Sequence, residues 1–235
     1  MAMMMGPTNQ RTRSYRVEFG CLKELLVRVV RGIRLSELKL VRIDAESVLK
    51  NGGDELVARV TVSGHPGSGT STLVEGLCEE YGWTKLNGGQ LFRDMAKNHS
   101  MTLEDFGHYC EENEQVDKEL DALLADTIVN PESPEIIESR LAGWWAYRET
   151  HDCHRIWLEV SEGIRASRIV SREGGTIQGQ VPQIKERMES DKLRYLQYYD
   201  IDIDSMEPYT LVIDANDMDA GSVLSLVKMH LEGEN

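Results

Sequence analysis

Gly64-His65-Pro66-Gly67-Ser68-Gly69-Thr70-Ser71 carries the clearest chemical signal in the sequence. Its glycines let successive backbone N–H groups converge on one point, and a helix starting behind them aims its positive end at the same place. Both features suit a ligand rich in anionic oxygens, such as a polyphosphate. The spacing is that of a Walker A loop, GxxxxGK[ST], with one departure: Thr70 stands where lysine is usual. Ser71 falls where a hydroxyl can ligand Mg²⁺. Without the lysine, another cation must offset charge developing at the β- and γ-phosphates. A tight turn with no ligand, or a nucleotide site that has lost its lysine, are the other readings of this segment.

The missing charge directs attention to arginine. Arg93 lies one turn into an expected helix, Arg140 follows an expected strand, and Arg172 precedes Gly174-Gly175. Arg187, Asp191 and Arg194 share one helix face at spacings of four and three. Phosphoryl transfer requires guanidinium forks on both donor and acceptor phosphates, because its chemistry is mostly positioning and charge stabilisation. A single arginine of this set is more simply a surface ion pair; the set together with the loop is harder to explain that way.

The elements that must position these groups can be read from periodicity. Leu56 to Ser63 is a β-branched run, and Leu73, Val74, Leu77 and Cys78 recur at helical spacing after the glycine loop, giving strand, loop and helix. Further strands are expected at Trp83–Leu86, Glu135–Glu138, Arg155–Val160 and Tyr209–Asp214. Helices are expected from Gln90 to Asn98, from a capping box at Thr102-Leu103-Glu104-Asp105, along Val116, Leu120, Leu123 and Leu124, around Ile164–Ile169, along Val181, Ile184, Met188 and Tyr195, and along Val223–Leu231. Gly174, Gly175 and Gly179 mark a flexible stretch between two of them. Such alternation implies a mainly parallel sheet in an α/β fold.

Composition narrows the class. The 235 residues carry a net charge of −14. Residues 1–54 hold ten Lys/Arg against six Asp/Glu, so this segment is +4 and residues 55–235 are −18. An acidic body is a poor nonspecific binder of nucleic acid. No apolar run approaches the roughly 20 residues of a membrane span, and Met1–Ser14 does not read as a secretory signal. Four dispersed cysteines suggest free thiols in a reducing compartment. His151-Asp152-Cys153-His154 is either a metal cluster or a solvated turn before a strand. Leu22, Leu25, Leu26, Val29, Val30 and Ile33 form an apolar stripe beside Lys23, Arg28, Arg31 and Arg34. That basic amphipathic helix docks on a partner or membrane surface, packs on its own domain, or is an upstream stretch from an early start codon.

Several segments together resemble the archaeal-type cytidylate kinases, a branch of the nucleoside monophosphate kinases. They are GSGTST at Gly67–Thr72, LFRDMAKN at Leu91–Asn98, MTLEDFGHY at Met101–Tyr109, VDKELD at Val116–Asp121, ESRLAGWWA at Glu138–Ala146, IWLEV at Ile156–Val160, IKER with RY at Ile184–Arg187 and Arg194-Tyr195, and YYDIDIDSMEPYTLVID at Tyr198–Asp214. The resemblance covers about residues 56–232 and says nothing about residues 1–54. Threonine in place of the loop lysine is typical of that family, whereas Ser139 stands where its members usually have glycine.

The resemblance implies a P-loop NTPase core with a five-stranded parallel sheet in residues 55–235, a helical acceptor-binding insertion over 87–135 and a short lid over 172–187. It implies ATP-dependent phosphorylation of CMP or dCMP. Gly64, His65, Pro66, Gly67, Ser68, Gly69, Thr70, Ser71 and Thr72 would bind ATP. Arg93, Asp117, Arg140, Arg187, Asp191 and Arg194 would hold the acceptor, with Arg172, Arg187 and Arg194 acting on the transferred group. Ser71 and Glu138 would hold Mg²⁺. A cytoplasmic monomer acting on small nucleotides, without nucleic-acid or membrane partners, is expected. The rival readings are a kinase for another monophosphate, UMP or AMP, and a nucleotide-binding adaptor docked through the basic N-terminus. Arg187, Asp191 and Arg194 favour the enzyme, because a pure ATP switch needs no carboxylate for an acceptor ribose.

Overall fold

A computed structural model of the chain describes residues 58–233. The basic segment 1–54, with its expected amphipathic helix, lies outside the described residues. Strand β1 (Val60–Gly64) is central, and its first four residues are buried. A strand covered on both faces reads as a nearly continuous β-branched run, and that is what Val60-Thr61-Val62 supplies. Parallel neighbours flank it: β3 (Ile136–Glu138) with Val62 opposite Glu138, and β4 (His154–Glu159) with Val62 opposite Ile156. Strands β2 (Lys85–Asn87) and β5 (Leu211–Asp214) form the edges, giving the order β2-β3-β1-β4-β5. All pairings are parallel, so every strand must be followed by a crossover.

The helices fill those crossovers. Helix α1 (Thr70–Tyr81) follows β1, and α8 (Ala220–Gly233) closes the described chain. Leu73, Val74 and Leu77 from α1 and Val223 and Val227 from α8 join Val60, Val62, Ile156, Leu158 and Ile213 in one apolar core. Helices α2 (Gly88–Asn98), α3 (Leu103–Glu112) and α4 (Glu114–Ile128) lie between β2 and β3. Buried Phe106 of α3 meets Phe92 of α2 at 4.9 Å, an aromatic seam of this region's own. Thr102 caps α3 by accepting from the Asp105 N–H at 3.1 Å, as the capping box requires. Helix α5 (Ala142–Arg148) follows β3; α6 (Glu162–Glu173) and the long α7 (Ile177–Tyr199) follow β4 and pack through Ala166, Ile169 and Ile184.

Strand β3 starts at Ile136 rather than Glu135, β4 runs from His154 to Glu159 rather than Arg155 to Val160, and β5 starts at Leu211 rather than Tyr209; three further boundaries differ from the expected ones for local reasons. The second strand starts at Lys85 rather than Trp83, because left-handed Gly82 ends α1 and Trp83 stacks back on Tyr81 at 4.5 Å. Helix α2 starts at Gly88 rather than Gln90, since the Asn87 carboxamide oxygen accepts from the Gln90 N–H at 2.8 Å. Gly179 belongs to α7 rather than to a flexible stretch. The Thr176 hydroxyl accepts from its N–H at 3.2 Å and starts the helix there.

Gly143 tests the packing of α5 on the sheet. A Cβ at this position would lie 2.3 Å from Cε1 of Tyr209, whose ring packs against Trp157 at 5.1 Å. Gly143→Ala should therefore lower unfolding stability by about 1–3 kcal/mol through overpacking. A urea midpoint equal to that of the unsubstituted chain would show that the Tyr209 ring has room to move.

Candidate active site

All five strands point their carboxyl ends to one edge of the sheet, where ligands of open α/β sheets bind. The glycine loop emerges there from β1. Gly67 has φ 87°, a left-handed value that suits glycine, and a Cβ on it would meet the Arg165 carbonyl oxygen at 2.8 Å. Helix α1 opens on Gly69 rather than on a capping side chain. Its first N–H groups are thus directed at the hollow of the loop.

Glu138 ends β3 opposite both Val62 of β1 and Asn87 of β2. That register puts its carboxylate between the loops that follow those two strands. Oε1 accepts from the Thr70 hydroxyl at 2.8 Å and the Ser71 hydroxyl at 2.7 Å, and Oε2 accepts from the Asn87 amide at 2.6 Å. The residue is 6% exposed. Thr70 therefore fills the lysine position with a neutral donor to a carboxylate. Asn87 holds Glu138 with its nitrogen and caps α2 with its oxygen. An asparagine before two glycines at a strand end signals the cap, but nothing local in the sequence reveals the bond to Glu138.

The arginines meet around Asp191. Arg194 donates to Asp191 Oδ1 at 2.7 Å, and Arg140 donates to Oδ2. Asp191 and Arg194 are each 3% exposed. The Arg194 guanidinium also lies 5.9 Å from the Phe92 ring centre and 5.7 Å from that of Tyr195. One cavity is lined by Gly64, His65, Pro66, Gly67, Thr70 and Ser71 of the loop, by Glu138, and by Arg93, Arg140, Arg172, Arg187 and Arg194. Arg93 is steadied by the Gln90 carboxamide oxygen at 2.9 Å. Asp191 lies behind this set, on an adjoining cavity that also touches Arg172, Arg187 and Arg194. The side chain of Asp117, on α4, lies outside the described residues.

Two cations of the site were not singled out from the sequence. Arg165, Arg168 and Arg172 lie on one face of α6 at spacings of three and four. Arg168 donates to the Ser68 carbonyl at 2.8 Å, and Arg165 donates to the Pro66 carbonyl at 3.3 Å and to Val160 at 3.0 Å. Their regular spacing was the available signal. Ser68, Gly69 and Thr72 line a second hollow with Arg168, Ala215 and Met218, beyond the other wall of the loop. His65 does not replace the lysine charge: burial, then the Arg165 guanidinium, push its pKa below the ordinary imidazole value, despite Asp204 at 3.5 Å. At neutral pH the positive charge around the loop is guanidinium charge.

Comparison with known proteins is consistent with this geometry. A family described as "AAA domain" matches residues 63–178. The cytidylate kinase of Pyrococcus furiosus is 38% identical over 173 residues, covering 74% of this chain and 88% of that protein. The chain belongs to the cytidylate kinase family. The cytidylate kinase of Natronomonas pharaonis is 37% identical, covering 72% of this chain and 86% of that protein. Among solved structures, an uncharacterised protein from Eubacterium ventriosum superposes with TM-score 0.57 at 12% identity, covering 75% of this chain and 98% of that one. Shikimate kinase from Acinetobacter baumannii, in complex with shikimate, gives TM-score 0.51 at 12% identity, covering 77% and 96%. These structural likenesses establish the P-loop kinase fold.

The Asp191 cluster should be costly to uncharge. Asp191→Asn keeps the side-chain shape but leaves two guanidinium groups without their shared carboxylate. It should cost about 3–5 kcal/mol of unfolding free energy, read as a lower urea midpoint with an unchanged slope. An unchanged midpoint would mean that groups other than Asp191 balance Arg140 and Arg194.

Proposed function

We propose that this chain transfers the γ-phosphoryl group of ATP to CMP or dCMP, releasing ADP and the corresponding diphosphate. The observation that carries the reading is the single cavity in which the glycine loop faces Arg93, Arg140, Arg172, Arg187 and Arg194. Membership of the cytidylate kinase family supports the choice of acceptor.

In this reading the backbone N–H groups of residues 64–72 other than Pro66 cradle the donor phosphates, and the adenosine lies in the hollow beside Arg168, Ala215 and Met218. Arg93, Arg140, Arg187 and Arg194 grip the acceptor, with Asp191 fixing two of the forks and Asp117 as a further contact. An oxygen of the acceptor phosphate attacks the γ-phosphorus while the bond to the bridging oxygen of ADP breaks. The attacking oxygen is already ionised, so no general base is required. Arg172 offsets charge on the group in flight, the task usually given to the loop lysine.

The oxygens of Ser71 and Glu138 suit a hard divalent cation. Ser71 can donate to Glu138 and still offer a lone pair, so the observed hydrogen bond is compatible with a shared site for Mg²⁺. When bound, Mg²⁺ would supply charge neutralisation for the donor phosphates. Residues 87–135 form the acceptor-binding insertion, and residues 172–187 form a lid that excludes water so that the phosphoryl group meets CMP. The proposal includes a monomer acting in the cytoplasm; no helix among the described residues is long and apolar enough to cross a membrane.

Turnover of the four ribonucleoside monophosphates and dCMP tests the assignment. CMP and dCMP should show kcat/KM at least about tenfold above AMP and GMP, equivalent to roughly 1.4 kcal/mol of discrimination. Equal rates with the purine monophosphates would overturn the choice of acceptor.

A further inference from the structure

Away from this cavity, α3 and α7 bring together side chains of another chemistry. Glu104 and His108 are four residues apart on α3 and so share a face, and Glu186 approaches from α7. Their ligand atoms all lie within 4.8 Å of one another. Among the described residues this is the one such group of three or more His, Cys, Asp and Glu side chains. His108 Nε2 lies 3.5 Å from Glu186 Oε1, and His108 Nδ1 lies 3.5 Å from Glu111 Oε2. Glu111 in turn accepts from the Ser190 hydroxyl. One nitrogen of the imidazole thus faces the two-helix cluster while the other faces a carboxylate anchored by a third residue.

We propose that Glu104, His108 and Glu186 form a surface site for a borderline divalent transition ion of the zinc class, bridging α3 and α7. One imidazole nitrogen and two carboxylates form a mixed N/O donor set suited to zinc. Mg²⁺ instead prefers oxygen ligands and retains most of its water. A tetrahedral zinc ion with bonds of about 2.0–2.1 Å spaces its ligand atoms about 3.4 Å apart, close to the His108–Glu186 separation. Glu104 closes the remaining distance by side-chain rotation, since all three side chains are exposed. Glu111 orients the ring in the way that carboxylates commonly orient metal-bound histidines. The fourth position is left to solvent. The site is independent of the reading of the nucleotide cavity, but it adjoins it: Glu186 immediately precedes Arg187, so a bound ion fixes the turn of α7 that presents this arginine. The hydroxyl of Tyr198 already ties the same two helices by donating to the Glu111 carbonyl at 3.0 Å.

Titration calorimetry of the full chain with zinc chloride, in excess Mg²⁺ and without nucleotide, tests the proposal. One equivalent should bind with roughly micromolar affinity, and the ion should raise the melting temperature through mass action. His108→Ala and Glu186→Gln should each weaken binding at least about tenfold, and both should abolish the thermal shift. His230→Ala should change neither quantity, although the His230 ring lies 5.2 Å from that of His154. Both test residues are exposed, so the variants should melt at the same temperature as the unsubstituted chain when zinc is absent. Wild-type affinity in His108→Ala, or no zinc uptake by the unsubstituted chain, would overturn the assignment. Loss of binding in His230→Ala alone would assign the ion to His154 and His230 and overturn it equally.

Discussion

The buried carboxylate of Glu138 is the point on which the site depends. A carboxylate removed from water is costly unless its oxygens are satisfied, and here three donors from two other segments satisfy it. Two donors belong to the first turn of α1, and the third caps α2. The geometry of the glycine loop and the start of the helical region after β2 are therefore coupled through one residue at the end of β3. Moving either helix away from β3 exposes an unmet acceptor in a dry place, and charge-assisted bonds of this kind are among the stronger ones in a protein. The parallel register makes the meeting possible, since Val62, Glu138 and Asn87 lie side by side across three strands.

A second constraint is electrostatic. The chain as a whole is strongly acidic, with net charge −14. Yet the cavity edge gathers Arg93, Arg140, Arg172, Arg187 and Arg194, with Arg165 and Arg168 just behind the loop. Seven guanidinium groups close together repel one another, and Asp191 relieves part of that by accepting from both Arg140 and Arg194. The distribution concentrates positive potential at one opening of a negative surface, which favours small polyanions there while the rest of the protein stays unattractive to long ones. Threonine in the loop fits this distribution. Arginines on α6 and α7 line the same cavity as the loop, and the Thr70 hydroxyl holds Glu138.

Much of the fold was legible in the sequence, because its signals are local. The Val60–Val62 run, the glycines of the loop, the capping box at Thr102 and the apolar stripe of α7 each depend on near neighbours in the chain, and the structure has each of them. The match to archaeal kinases was legible from ordered segments rather than from any one motif. Contacts between distant residues were not legible. Asn87 meets Glu138 across 51 positions and Arg168 meets Ser68 across 100, so no window of sequence contains both partners. The β2 edge strand starts two residues later than expected, because Trp83 and Gly82 obey a stacking contact and a helix end rather than propensity. His151, Asp152 and Cys153 precede β4, and His154 is its first residue. His151 Nε2 lies 2.7 Å from the Ala58 carbonyl oxygen, and burial pushes the Cys153 thiol up to about 11.

If Glu138 fixes the donor loop and the acceptor side in one geometry, removing its charge at constant size should uncouple them without unfolding the chain. The direct measurement is steady-state turnover of CMP with ATP by Glu138→Gln, alongside its melting curve. A folded chain whose kcat falls by at least about 100-fold is the expected result, since misplacement of about 1 Å costs that much in positioned chemistry. A folded Glu138→Gln variant with the kcat of the unsubstituted chain would contradict the account.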